Sequence, residues 1–326
     1  MIDFDEIRSK ILDGCMPSLE EAVFLLGLEG AQVFDLFMLA NRITRRHFGD
    51  LIDTCSILNA KSGLCDQNCS FCAQSTHHNT GIKPYPLMGE DEVLSVAERM
   101  EESGSNRFSI VTSGLSLNQD EFERILHTIR RLRDETNLSI CTSIGSLNQK
   151  RALMLKSAGV TCIHHNLETS KRFFPRVCTT HTYEDWERTL GIAKDIGFEV
   201  CSGGIIGLGE KLIDRVELAL ALKDLDVDSV PINILTPIPG TPLEDTITPS
   251  PLEVLKTIAV YRILLPSKHI RLAGGREVNL RSLQSLALIS GADGLMLGNY
   301  LTTSGNTPEE DLEMISDLGL RVKDHV

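Results

Sequence analysis

The chain has 326 residues, 42% of them apolar, enough to bury one large core, and its formal charge of −13, with Lys and Arg scattered among acids, argues against a nucleic-acid partner. The opening MIDFDEIRSK is acidic, and no run of about 18 apolar residues occurs anywhere, so neither a secretion signal nor a membrane helix is expected. A cytoplasmic, soluble protein acting on a small molecule is the expectation, and its nine cysteines are read as metal ligands or catalysts because a reducing cytosol does not sustain disulfides.

Residues 1–46 carry Val23, Leu25, Leu26, Val33, Phe34, Phe37 and Met38 at roughly helical spacing, which predicts an N-terminal helical segment serving as a cap. From Leu51 onward, short β-rich runs alternate with amphipathic stretches. IDTCSILN is followed, after a long loop, by a helix over 90–103; RFSIVTS by 118–135; LSICTSI by 147–158; VTCIHHN by 182–196. FEVCSGGIIG is followed by 210–224, SVPINIL by 251–265, HIRLAGG by 279–289 and DGLMLG by 308–318. Eight strand–helix units imply an α/β fold with a parallel sheet closed into a (β/α)₈ TIM-type barrel, expected as one domain over residues 47–326. TPIPGTPLED, residues 236–245, reads as a barrel loop, and chemistry is expected at the C-terminal ends of the strands.

GLCDQNCSFCAQS places Cys65, Cys69 and Cys72 in a C-x₃-C-x₂-C pattern directly after the first strand. Three thiolates so close can hold three corners of a 4Fe–4S cubane and leave the fourth iron open. A structural zinc site is the competing reading, but zinc prefers a closed set of four ligands, usually in separated pairs. An open iron can chelate the amino and carboxylate groups of S-adenosylmethionine (SAM) and reduce its sulfonium to a hydrogen-abstracting radical. Phe71, between the last two cysteines, either packs on the adenine or shields the cluster from water.

At this point the sequence resembles the radical SAM superfamily, and from about residue 45 onward it resembles the biotin synthases within it. The closer likeness rests on KSGLCDQNCSFCAQS, HHNLETS, TYEDW, VCSGGIIGLGE, DSVPINILTPIPGTPLED, TIAVYRILLPSKHIRLAGGRE and LGNYLTT, in that order. The resemblance implies a homodimeric barrel sulfurtransferase that inserts sulfur between C9 and C6 of dethiobiotin. It also implies an electron donor such as flavodoxin or ferredoxin, and a sulfur source in a second iron–sulfur cluster held by three cysteines and an arginine.

Carried onto this chain, two of those cysteines match Cys141 and Cys201, and the arginine matches Arg271. The third falls on Ser109, whose neutral hydroxyl is a poor iron ligand. Cys55, where the family commonly has serine facing the second cluster, is expected to supply the missing thiolate, with Arg271 as a ligand or hydrogen-bond donor. Such a shift of about 5 Å around the barrel changes the cluster's shape, and a cubane-type auxiliary cluster is placed ahead of 2Fe–2S. Cys162 shares strand parity with His164 and Asn166 and is held in reserve; Cys15 and Cys178 are assigned no role.

The resemblance further places Asn166 and Glu168 against substrate and the ribose hydroxyls, Ile205 and the glycines of SGGIIGLGE against the nucleoside, and backbone carbonyls of Ser113 and Gly114 toward the methionine ammonium. Asn233 and His164 are expected at the ureido ring, although a satisfied core histidine is an equal reading of His164. Trp186 stands where the family has an arginine for the methionine carboxylate. Arg188 is a candidate replacement, but two residues along a helix turn about 200° away. The alternative is a radical enzyme of the hydrogenase-maturation or methylornithine-synthase type, with no sulfur insertion; Cys141, Cys201 and Arg271 argue against it.

Overall fold

The computed structural model of the protein describes residues 2–323; Met1 of the expected N-terminal segment and residues 324–326 of the expected barrel domain lie outside the described residues. Three helices come first, α1 (Phe4–Leu12), α2 (Leu19–Leu26) and α3 (Gln32–Phe48). Strand and helix then alternate: β1 (Leu51–Lys61), α4 (Glu90–Glu102), β2 (Arg107–Thr112), α5 (Gln119–Glu135), β3 (Ser139–Ser143), α6 (Gln149–Ala158), β4 (Cys162–His164) and α7 (Tyr183–Asp195). The second half contains β5 (Glu199–Cys201), β6 (Gly204–Ile206), α8 (Leu212–Asp224), β7 (Ser229–Ile234), α9 (Pro251–Leu264) and β8 (His269–Leu272). It ends with α10 (Arg276–Leu280), α11 (Gln284–Ile289), β9 (Gly294–Met296), α12 (Pro308–Asp317) and β10 (Arg321–Val322).

The helices form where the sequence stops competing with them. At α5, the Asn118 side chain accepts from the Glu121 amide and Glu121 returns a bond to the Asn118 amide, while Phe122, Ile125, Leu126, Ile129 and Leu132 are buried on one face. Thr182 and Asp185 cap α7 in the same reciprocal way. Each large apolar side chain buried this way contributes roughly 1.5–3 kcal/mol relative to exposure.

All barrel pairings are parallel, in the order β1-β2-β3-β4-β5-β7-β8-β9, and β9 pairs back onto β1 with Cys55 opposite Met296, closing eight staves. The fifth stave is made of two pieces. FEVCSGGIIG, expected as one strand, is interrupted at Ser202–Gly203, and β6 continues alone beside β7. A Cβ on Gly203 would lie 1.9 Å from the Pro231 carbonyl oxygen, and one on Gly204 2.4 Å from that of Glu168, so only glycine lets these backbones approach. The helix expected over 279–289 is likewise broken, because Arg281 has φ +53 and a 3₁₀ turn joins α10 to α11.

The N-terminal helices lie on the outside of the barrel wall. α3 buries Val33, Leu36, Phe37, Leu39 and Ala40 and packs against α9 and α11, with the Thr44 hydroxyl donating to the Gly291 carbonyl at 3.2 Å. α2 packs against α8 and α9. Among the described residues, no helix is long and apolar enough to cross a membrane.

Candidate active site

The loop after β1 is shaped by its own backbone. The Cys65 amide donates to the Gln74 carbonyl (3.1 Å), the Thr76 amide to the Cys65 carbonyl (2.8 Å), and the Cys72 amide to the Cys69 carbonyl (3.0 Å). Ser75 donates its hydroxyl proton to the Gln67 carbonyl at 2.6 Å, and the Ser70 amide reaches the Val177 carbonyl at 2.8 Å. This wrapping turns Cys65, Cys69 and Cys72 toward one cavity at the C-terminal mouth of the barrel, with about 1590 Å³ of empty space. Burial pushes the Cys72 thiol up to about 11.

The same cavity is lined by Phe71, Ser113, Gly114, His164, Asn166, Glu168, Ile205 and Asn233, so the structure brings these expected residues together with the triplet. Phe71 packs in an apolar cluster with Val177, Leu208, Leu235 and Ile205. The Ser113 hydroxyl donates to the Gly63 carbonyl at 2.7 Å and so anchors the cysteine loop. Asn166 Oδ1 accepts from the Gly203 amide (3.1 Å), and Asn233 Oδ1 from the Gly274 amide (3.0 Å). Glu168 adopts φ +67, a backbone strain that aims its side chain into the cavity, and burial pushes its carboxyl up to about 8. Burial lowers His164 to about 4, so it is neutral there.

Below this chamber lies a second, smaller cavity with about 540 Å³ of empty space, lined by Cys55, Cys141, Cys162, Cys201, Ser109, Arg107, Asp53 and Arg271. Ile57, His164 and Met296 line both chambers and so separate them. Cys55, Cys141, Cys201 and Arg271 come from staves one, three, five and seven, the alternate-strand pattern by which barrel interiors form a layer. The sequence put these thiols near the C-terminal strand ends. They sit deeper, because β1 runs on six residues past Cys55 to Lys61, and Cys55 pairs with Arg107, the first residue of β2, as Cys141 pairs with Cys162, the first of β4. Burial pushes the Cys55 thiol up to about 11 and Cys201 to about 12, with Arg271 opposing both. Ser109 Oγ and Ser229 Oγ, also on this wall, are buried without hydrogen-bond partners. Thiols, cationic groups and orphaned hydroxyls around one cavity fit an iron–sulfur cluster.

Comparison with known proteins follows the same division. The Radical SAM superfamily model matches residues 61–222, and the Biotin and Thiamin Synthesis associated domain model matches residues 231–321. The biotin synthase of Geobacter sulfurreducens is 49% identical over 325 residues, covering 99% of both chains. That of Geotalea uraniireducens is 49% identical over 317 residues, 97% of this chain and 96% of the relative. The chain belongs to the biotin synthase family. Among solved structures, a methylornithine synthase matches with TM-score 0.84 at 19% identity over 98% of both chains. The FeFe-hydrogenase maturase of Carboxydothermus hydrogenoformans matches with TM-score 0.83 at 19% identity, over 98% of this chain and 79% of that one. At such identity these two share the barrel fold.

In this biotin synthase family member, the charged and imidazole groups on the upper cavity wall are Glu168, His164, His165 and His181. Among the described residues, no Lys or Arg lines the upper cavity. Arg188 is no substitute for an arginine at Trp186, since it points to solvent and pairs with Asp185 at 3.2 Å. Trp186 instead lies tilted against His181 (4.0 Å) and edge-on to His165 (4.2 Å), and His165 Nε2 is buried without a partner. Cys178, given no role from sequence, lies beside Cys69 and His181, with ligand atoms of the three within 4.8 Å. The C-T-T-H spacing of Cys178 and His181 was the available signal for that pair.

Proposed function

We propose that the protein converts dethiobiotin to biotin by radical, SAM-dependent sulfur insertion at C9 and C6, drawing sulfur from an auxiliary iron–sulfur cluster in the lower cavity. The observation that carries this reading is the layer of Cys55, Cys141, Cys201 and Arg271 directly beneath a chamber walled by the Cys65, Cys69 and Cys72 triplet. When bound, a 4Fe–4S cluster with SAM supplies hydrogen abstraction from unactivated carbon, and the lower cluster supplies sulfur.

The chain's own residues hold, orient and exclude water. Cys65, Cys69 and Cys72 hold the upper cluster; Phe71 and Ile205 offer apolar surface to the adenine; Ser113 and Gly114 present carbonyls to the methionine ammonium; Asn166 and Glu168 receive the ribose. Asn233 presents both a carbonyl and an amide to the ureido ring, and neutral His164, hydrogen-bonded through Nε2 to Asn166 Oδ1 at 3.2 Å, stands between substrate and lower cluster. Cys55, Cys141 and Cys201 hold the auxiliary cluster, with a cubane type ahead of 2Fe–2S. Arg271 is a charge partner rather than a ligand, because its guanidinium is already committed to Asp53. Enclosure within the barrel keeps water from the reacting carbon.

The wider reading includes a flavodoxin or ferredoxin as electron donor, a homodimer, a cytoplasmic setting, and two units, an N-terminal segment over 1–46 and a barrel domain over 47–326. The deciding experiment is anaerobic Mössbauer spectroscopy with iron and sulfide counts on wild type and on a Cys65/Cys69/Cys72 triple-Ala variant. A distinct cluster retained by the variant is the expected result, and its spectrum separates a cubane from 2Fe–2S. A variant without iron would leave one cluster and remove sulfur insertion.

A further inference from the structure

We propose that Cys162 is a ligand of the auxiliary cluster, so that four cysteines rather than three hold it; this rests on the lower cavity being a cluster site. Cys162 is 3% exposed and lines the lower cavity together with Cys55, Cys141 and Cys201. In the ladder between the third and fourth staves its Cα is the direct partner of Cys141, so the two side chains leave the sheet on the same face. Two thiols at paired positions on adjacent staves can ligate the same iron or neighbouring irons, and four thiolates saturate either a 2Fe–2S or a 4Fe–4S cluster.

The surroundings tolerate the added charge. Arg107 and Arg271 both line the cavity, and their principal carboxylate, Asp53, is shared between them, with Arg107 Nε 3.3 Å and Arg271 Nη2 2.7 Å from the same Oδ2. Of the other acids on this wall, Glu199 is taken by Arg107 at 2.5 Å and Asp228 lies 3.4 Å from Lys194, so each carboxylate has a cation and Arg271 faces the thiols with Asp53 as its partner. Ser109 occupies the matching inward position on the second stave and offers only a hydroxyl, so Cys162 brings soft sulfur into a neighbouring layer where the second stave has none. The inserted sulfur then comes from a bridging sulfide. The plain alternative is a small buried thiol that merely packs against Cys141.

The test uses the Cys65/Cys69/Cys72 triple-Ala chain, reconstituted anaerobically, as parent. Adding Cys162→Ala should lower the retained iron by at least about one atom per chain and change the Mössbauer spectrum. Cys162→Ser, which preserves volume but offers a poor ligand, should shift the spectrum in the same direction, and it carries the test should the Ala variant prove insoluble. Iron counts and spectra equal to the parent's overturn the assignment while leaving the auxiliary cluster standing. A parent that holds no iron overturns both, which separates failure of this assignment from failure of the reading beneath it. In the otherwise wild-type chain, SAM binding at the upper cluster should be unchanged by either substitution.

Discussion

Arg271 grips Asp53 at two points on the barrel floor, donating from Nη1 to its carbonyl at 2.9 Å and from Nη2 to its carboxylate at 2.7 Å. Burial opposes a charge on Asp53, but Arg271 and Arg107 together outweigh it and hold the carboxyl well below the usual range. The pair thus fixes a cation beneath the lower thiols. Asp53→Asn should cost the cluster-free protein about 3–5 kcal/mol by leaving the buried Arg271 guanidinium without its counter-charge. Loading the lower cluster supplies thiolate charge, so the cost should shrink in the loaded form. Anaerobic urea unfolding of both forms checks this, and an equal loss in each would mean that the arginines do not respond to the cluster.

On the proposed reading, Cys69→Ala removes one of the three thiolates that hold the upper cluster. SAM cleavage and biotin formation should both fall below detection, because the electron that cleaves the sulfonium has no other entry to the chamber. Deoxyadenosine and biotin measured in one reaction decide the matter, and persistent cleavage would remove the triplet from the radical chemistry.

Cys55→Ser should leave the upper cluster intact while lowering auxiliary iron and biotin formation at least tenfold, since oxygen replaces sulfur at a buried iron. Iron counts in the triple-Ala background give the readout. Auxiliary iron at the parent's level would take Cys55 out of the ligand set.

The barrel was legible because each stave is a short apolar run followed by a capped amphipathic helix, and parity alone turns Cys141, His164 and Arg271 inward. Cys55 lies on stave one, an odd stave like those of Cys141, Cys201 and Arg271, and parity turns it into the same layer. Hidden from sequence was the depth of that layer, because pairing register depends on where β1 begins relative to its neighbours, not on any one strand. The break at Gly203 was hidden too, since the Pro231 carbonyl that forces it lies on another stave. Cys178 meets Cys69 only through the folding of two long loops, which carry no periodic signal.

Glu168 gives a prediction with a sign. Burial raises its carboxyl from 4.5 to about 8, while a hydrogen bond from Asn166 opposes the rise. Between those values the folded chain keeps a proton that the unfolded chain has released. The stabilisation from this group is therefore complete below about 4.5 and is lost as pH rises through about 8, by at most about 1.4 kcal/mol for each pH unit. Glu168→Gln cannot titrate, so relative to that variant the wild type should lose stability steadily across this window and then run parallel to it. Anaerobic thermal unfolding of both chains without SAM at several pH values measures the gap. Ribose hydroxyls donate to the ionised carboxylate, so saturating SAM should narrow the gap at the alkaline end, whereas a gap that ignores pH would show that Glu168 ionises normally and that burial does not hold its proton.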